Sequence, residues 1–171
     1  MQKINEIYEF TGAIDEPVPH RDGLRLGSNH HIPQLPVIMQ GPLVFNWTRT
    51  IKGIPVPRID DGALVANQAM DDARFRRWMS ANVTVQGRSD IVFVKLYCHG
   101  FFDHDQSACI GEDAVRFFGK LVEDGEKSGK YSIRFASARE AFNIAMAAND
   151  GRAGDPHEYR NYILRPIMEA A

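Results

Sequence analysis

The stretch from Asp90 to Asp105, DIVFVKLYCHGFFDHD, constrains the chain more than any other. Its first half, Ile91 to Cys98, is a nearly continuous apolar run, the pattern expected of a parallel strand covered on both faces. Side chains alternate across a strand, so Val92, Val94, Leu96 and Cys98 share one face while Phe93, Lys95, Tyr97 and His99 share the other. In an open sheet that second face would meet helices, and burying an unpaired ammonium there is costly. In a barrel the same face points into the lumen, whose mouth holds the active site. The alternation therefore favours a barrel-like reading, with His99 and Lys95 as candidate catalytic residues and Tyr97 as a candidate substrate contact. A structural alternative stands beside it, in which Lys95 pairs with Asp60 or Asp61 and His99 hydrogen-bonds a loop.

The flanking sequence supplies helices for such a strand. Leu35 to Met39 and Leu43 to Trp47 read as short strands around Gly41-Pro42, and Gly53 to Gly62 as a loop. Asn67 to Val83 predicts a helix with Phe75, Trp78, Met79 and Asn82 on one side and Arg74, Arg76 and Arg77 on a solvated opposite side. Glu112 to Lys127 predicts another, with Val115, Phe118 and Val122 at helical spacing and Gly125 and Gly129 marking its end. Tyr131 to Ala136 reads as a strand. Ser137-Ala-Arg-Glu140 then fits a capping box opening a helix through Ala148, stopped by Asn149-Asp150-Gly151. Asp155-Pro156-His157-Glu158 repeats the start signal, with proline at the first helical position. The order strand, helix, strand, helix, strand, helix predicts an α/β fold with parallel strands and covering helices. Residues 1–34 form a loop-rich N-terminal segment, punctuated by Pro17, Pro19, Gly23, Gly27 and Pro33, with only Ile4 to Phe10 strand-like. A single domain is expected over residues 1–171, with its core in residues 35–171.

Composition narrows the function. The 171 residues are 44% hydrophobic and 25% charged, with a net charge of −2 and no long run of one sign. That argues against a nucleic-acid or membrane surface built on bulk charge. No apolar run is long enough for a membrane span, and MQKINEIYEF has no signal-peptide core. The two cysteines, Cys98 and Cys109, make no disulfide framework and no zinc-type pair, so a reducing cytoplasm is the expected location. Cys98 is expected to pack against a helix as a small apolar residue.

Other residues invite chemistry. Asn46 and Trp47 end a strand, where they could grip a sugar by hydrogen bond and ring stacking; core packing of Trp47 is the competing reading. Arg139 lies in the first turn after a strand end, unfavourably for the helix dipole, and is placed to approach a ligand. His99, Asp103, His104 and Asp105 are ligand types that suit zinc, iron or manganese, but their spacing matches no strong metal motif, and His30-His31 is weaker still.

Several segments together resemble the C-terminal part of uncharacterised bacterial proteins related to polysaccharide deacetylases. They are Gln2-Lys-Ile-Asn-Glu-Ile-Tyr8, Gln40-Gly-Pro-Leu43, Phe93-Val-Lys-Leu96 with His99-Gly100, Ser137-Ala-Arg-Glu140 with Asn143, Ala147-Ala-Asn-Asp-Gly151, Gly154-Asp-Pro156 and Tyr159-Arg160. The resemblance runs in order over nearly the whole chain, and its specificity lies in the combination. It implies an irregular (β/α) barrel of NodB-like type. It also implies removal of N- or O-acetyl groups by water activated on a divalent metal such as zinc, held by one aspartate and two histidines. A histidine at a late strand end then acts as general acid, the role implied for His99.

Two departures qualify it. The chain has no early strand ending in Asp-Asp and no His-x-x-x-His helix, so the resemblance implies a C-terminal half of a barrel that begins upstream of Met1. Any metal would then need ligands supplied from elsewhere. The related strand reads Lys-Leu-His-Thr-His-Gly, whereas Tyr97 and Cys98 replace its first histidine and threonine. The expected function is a deacetylase-like, carbohydrate-active protein that is weak or inactive alone. The alternative is a non-catalytic carbohydrate-binding or assembly module, self-associating or meeting a partner chain to cover the open side of a half-barrel.

Overall fold

The computed structural model describes residues 4–11, 23–27, 32–34, 36–99 and 102–166. The chain divides into two compact units, one built from Met1–Gln40, Asn82–Phe93 and Phe135–Ala171, the other from Gly41–Ala81 and Val94–Arg134. No helix among the described residues is long and apolar enough to cross a membrane.

In the first unit, β1 (Ile7–Phe10) is the centre of a three-stranded antiparallel sheet, flanked by β2 (Gly23–Arg25) and β3 (Val37–Met39). Tyr8 lies opposite Arg25 on one side and Ile38 on the other. Ile7 and Tyr8 are fully buried, which explains why this short strand takes the central position. A Cβ on Gly23 would fall 2.1 Å from Tyr8 Cδ2, so only glycine fits that register.

The long helix of this unit is set by local signals. Ser137 caps it, Glu140 reaches back to the Ser137 N–H at 2.8 Å, and the helix runs over Ala138–Asn149. It buries Ile144 through Ala148 almost completely. Asp155 caps a single 3-10 turn, Pro156–Tyr159, by accepting from the His157 N–H at 3.0 Å. Both start signals legible in the sequence are therefore used.

In the second unit, β4 (Leu43–Asn46) pairs antiparallel with β7 (Arg58–Asp61), and β5 (Thr50–Ile51) with β6 (Ile54–Pro55) forms the hairpin between them. The stretch expected to be a loop, Gly53 to Gly62, thus contains two strands. Its prolines and charges suggested a turn, but Pro55 sits on a two-residue edge where no ladder donor is needed. Three helices follow, α1 (Asp72–Ser80), the one-turn α2 (Gln106–Ile110) and α3 (Glu112–Ser128); the helix of the first unit, Ala138–Asn149, is α4. The core gathers Trp78, Phe117 and Leu121, with Leu64, Phe75, Leu96 and Ile133 against them. Trp78 and Phe117 meet edge to face at 6.2 Å, a favoured aromatic geometry.

The buried stripe of α3 is Ala114, Phe117, Leu121 and Gly125. The expected stripe of Val115, Phe118 and Val122 is rotated by one position, and Val115 is exposed. Gly125 is a packing residue as well as a late-helix one, since a Cβ there would lie 2.8 Å from the Tyr131 carbonyl. Gly129, at φ 63°, provides the left-handed residue that ends the helix.

The β4–β7 pair carries its polarity inside out. Asp60 is 3% exposed, and it faces α1, where Arg74 and Arg77 meet it. Phe45 and Ile59, directly opposite each other in the ladder, point outward and are 68% and 57% exposed. Arg74 is only 1% exposed, so it does not belong to a solvated arginine face as its neighbours Arg76 and Arg77 suggested. Its guanidinium lies 4.9 Å from the centroid of Trp78, one helical turn on, and donates to the main-chain carbonyls of Asp61 and Ala63.

A partial (β/α) barrel with parallel strands and covering helices is not what the chain forms. The sheets among the described residues are antiparallel, in the orders β2-β1-β3, β4-β7 and β5-β6. The expected central strand, Ile91 to Cys98, is extended without a ladder. In the first unit Phe93 donates to the Val83 carbonyl at 2.8 Å. In the second, Tyr97 donates to the Gly62 carbonyl at 3.1 Å and accepts from the Leu64 N–H at 2.8 Å. That is parallel geometry reduced to a single bridge between Ala63 and Tyr97. Tyr131 to Ala136, the other expected parallel strand, likewise lies outside the ladders. The apolar run marks a covered segment, but the ladders form among the strands of residues 7–61, and this segment keeps only the single bridge at Tyr97.

Candidate functional site

Tyr97 is held by its neighbours before it could act on a ligand. The single parallel bridge fixes its backbone, and its hydroxyl donates to Asp61 Oδ2 at 2.7 Å. The other Asp61 oxygen accepts from the Ala63 N–H at 3.0 Å. Burial, then the hydrogen bond to Asp61, pushes the Tyr97 phenol up to about 12. Tyr97 is thus a neutral donor locked onto a carboxylate.

The His99 ring sits edge-on to Tyr97, 5.2 Å between centroids and 86° between planes, and it is exposed. Lys95 is also exposed. The structure therefore brings Tyr97, His99 and Asp61 into one line, with the imidazole outermost. Such a line can orient an imidazole toward solvent and let it carry a proton to or from a bound molecule. Asp60, a pairing candidate for Lys95 in the sequence, instead receives Arg77 at 2.5 Å and Arg74 at 3.5 Å. Burial lowers the pKa of Arg74, and the carboxylates of Asp60 and Asp61 oppose that shift.

The loop beyond His99 ties itself down. Asp105 is buried; its Oδ1 accepts from the Ala66 N–H at 2.8 Å and its Oδ2 lies 3.5 Å from His104. The His104 ring stacks on Phe102 at 5.4 Å. Among the described residues, no group of three or more His, Cys, Asp or Glu side chains comes together to hold a metal. The donors around His99 do not fit the one-aspartate, two-histidine set that the resemblance implies. Gly100 and the His30-His31 pair lie outside the described residues.

Asn46 and Trp47 part company. Asn46 is buried, with Oδ1 accepting from the N–H and hydroxyl of Thr48 at 3.0 and 2.7 Å and Nδ2 donating to Asp60 at 3.4 Å. It shapes the strand end and leaves little for a ligand. Trp47 is 58% exposed, and its ring is 6.3 Å from that of Phe45 at a 43° tilt. The two aromatics line an open groove of about 540 Å³ together with Thr48, Arg76, Arg77 and Ser80. Arg76 is exposed, while Arg77 is half-buried on Asp60.

Arg139 lies in the other unit, on α4. Its guanidinium donates to the Arg160 carbonyl at 3.2 Å, to Asn161 Oδ1 at 2.8 Å and to the Leu164 carbonyl at 2.5 Å. Asn143, one turn later and fully buried, donates to the same two carbonyls at 2.7 Å each and accepts from the Ile163 and Leu164 N–H groups. Arg160 in turn meets Glu140 at 3.3 Å. The motif Ser137-Ala-Arg-Glu140 with Asn143 and Arg160 is thus a latch that holds residues 160–164 on α4. A ligand role for Arg139 would require it to leave that latch.

Comparisons with protein-family models, with curated proteins and with solved structures return no match for this chain.

Proposed function

We propose that this chain is a carbohydrate-active protein related to polysaccharide deacetylases that engages glycans through the Trp47 groove and is weak or inactive as a deacetylase alone. The observation that carries the reading is the pair of exposed aromatic rings, Phe45 and Trp47, beside Arg76 and Arg77. Sugars present apolar C–H faces that stack on such rings and hydroxyls that bond guanidinium and hydroxyl groups. The guanidinium groups favour glycans with carboxylate or other anionic substituents. His99 is the residue we assign to proton transfer, with Tyr97, bonded to Asp61, as its orienting neighbour.

The two tryptophans make a direct test possible, because Trp78 is 1% exposed and Trp47 is open to solvent. Acetylated and deacetylated oligosaccharides, neutral and uronic, should protect Trp47 from acrylamide quenching. Trp47→Ala should weaken binding by about tenfold or more, the loss expected for one stacked ring. Binding that is unchanged in Trp47→Ala, or protection by none of these sugars, rejects the groove. Acetate release should be near background with or without added zinc; robust turnover that survives His99→Ala would reject the role of His99.

A second reading, an assembly module, is favoured by the outward face of β4 and β7. Leu43, Phe45 and Ile59 are exposed there, and apolar residues clustered in this way mark interaction surfaces. Light scattering separates the readings: a dimer that Ile59→Lys dissociates supports self-association, and a monomer at all concentrations excludes it.

A further inference from the structure

The two cysteines, which the sequence assigns to no disulfide framework, are both held beside Leu64 in the second unit. Tyr97 and Leu64 share a main-chain hydrogen bond of 2.8 Å, which places Cys98, the next residue, beside Leu64. The Cys109 thiol donates to the carbonyl of the same Leu64 at 3.3 Å. Leu64 thus holds Cys109 through its carbonyl and the residue before Cys98 through its N–H. A third tie, from Asp105 to the Ala66 N–H at 2.8 Å, holds the turn before α2 on the same stretch. Burial, and then the Cys98 thiol nearby, raises the pKa of Cys109. Both side chains are free and partly accessible, so a small oxidant can reach them.

We propose that Cys98 and Cys109 are a redox modification site that closes to an intramolecular disulfide and reopens on reduction. The oxidant is a small-molecule disulfide such as oxidised glutathione. The Cys98 thiolate attacks one of its sulfurs and expels a glutathione thiolate, which takes up a proton. Cys109 then loses its proton to solvent and displaces the second glutathione from Cys98. Two protein thiols are oxidised, and one external disulfide is reduced to two thiols. The order follows from Cys109, whose thiol is tied up by its hydrogen bond to the Leu64 carbonyl and is therefore the later to react. The bond would join the residue after Tyr97 to α2 and so restrain the chain that carries His99.

The test uses the intact protein in buffers of increasing oxidised-to-reduced glutathione ratio, with thiol alkylation and mass spectrometry as readouts. The expected result is loss of both free thiols together, a mass lower by two hydrogens, no retained glutathione, and one peptide cross-link joining Cys98 to Cys109. Cys98→Ser and Cys109→Ser should each retain a glutathione adduct that the natural chain expels. In urea the disulfide fraction at the same ratio should fall by about tenfold or more, because the fold supplies the proximity. A stable mixed disulfide on the natural chain, a bond between chains, or equal closure in urea would each overturn the proposal.

Discussion

Asn143→Ala is the sharpest probe of how the first unit is held together. The side chain is fully buried and satisfies two carbonyls, those of Arg160 and Leu164, and two N–H groups, those of Ile163 and Leu164. A net contribution of about 0.5–1.5 kcal/mol per bond would sum to between about 2 and 6 kcal/mol. The lower end applies, because Ile163 and Leu164 are themselves exposed and water can replace part of what is lost. Arg139 also keeps its bonds to both carbonyls. We therefore expect a loss of about 2 kcal/mol, a factor of about 30 in the local opening equilibrium. Urea denaturation gives the global value, and amide exchange at Ile163 and Leu164 gives the local one. Asn143→Asp keeps the acceptor but turns a carboxylate oxygen toward two carbonyls, and should cost at least as much. If the Ile163 and Leu164 amides exchange at the natural rate in Asn143→Ala, the latch is not what holds residues 160–164.

Three further outcomes follow from contacts already described. Ser137→Ala removes the cap of α4 and should cost about 1 kcal/mol, seen as a lower melting temperature by circular dichroism. Gly62→Ala would place a Cβ 2.0 Å from the Lys95 carbonyl and should cost about 2–3 kcal/mol, with near-ultraviolet dichroism of the second unit altered; a neutral result would mean that the bridge at Tyr97 yields easily. The phenol of Tyr97, ordinarily near pH 10, should titrate at about 12 in the difference absorbance between the natural chain and Tyr97→Phe. Because this pKa is raised on folding, the stabilisation it brings is complete below about pH 10 and is lost as pH rises toward 12. Asp61→Asn should bring the titration down, and no change there would exclude Asp61 as a cause.

The parts legible in the sequence were those written within a few residues. Ser137 with Glu140 and Asp155 with Pro156 place helix starts because a cap and its donors are one turn apart. The helix expected from Asn67 begins instead at Asp72, where Asp71 caps α1 by accepting from the Arg74 N–H at 2.7 Å. What failed depended on distant partners. On α3, Phe117 and Phe118 are adjacent, and only packing against Trp78 decides which of two apolar stripes turns inward. Ile91 to Cys98 announces an extended, covered segment but not who pairs with it, and the barrel expectation went wrong there. Arg74 reads like its neighbouring arginines because Asp60, its partner, lies in a different element. Of the candidate site, Trp47 could be foreseen from its place at a strand end. The latch that occupies Arg139 and the gathering of Cys98 and Cys109 around Leu64 could not.

The inverted β4–β7 pair has a consequence for how its register is chosen. Ordinary hydrophobic alternation would turn Phe45 and Ile59 inward, and a one-residue slip of the strands is the change that swaps faces. Such a slip would hide the apolar side chains but leave Arg74 of α1 buried without its carboxylate, and an unpaired buried charge costs about 3–5 kcal/mol. Charge pairing and hydrophobic burial thus recommend opposite alignments of the same two strands, and the native one is selected by the arginines. Replacing Arg74 and Asp60 together by apolar residues would remove that arbiter. The strands would then be free to settle into the competing alignment, with the aromatic groove turned away from solvent.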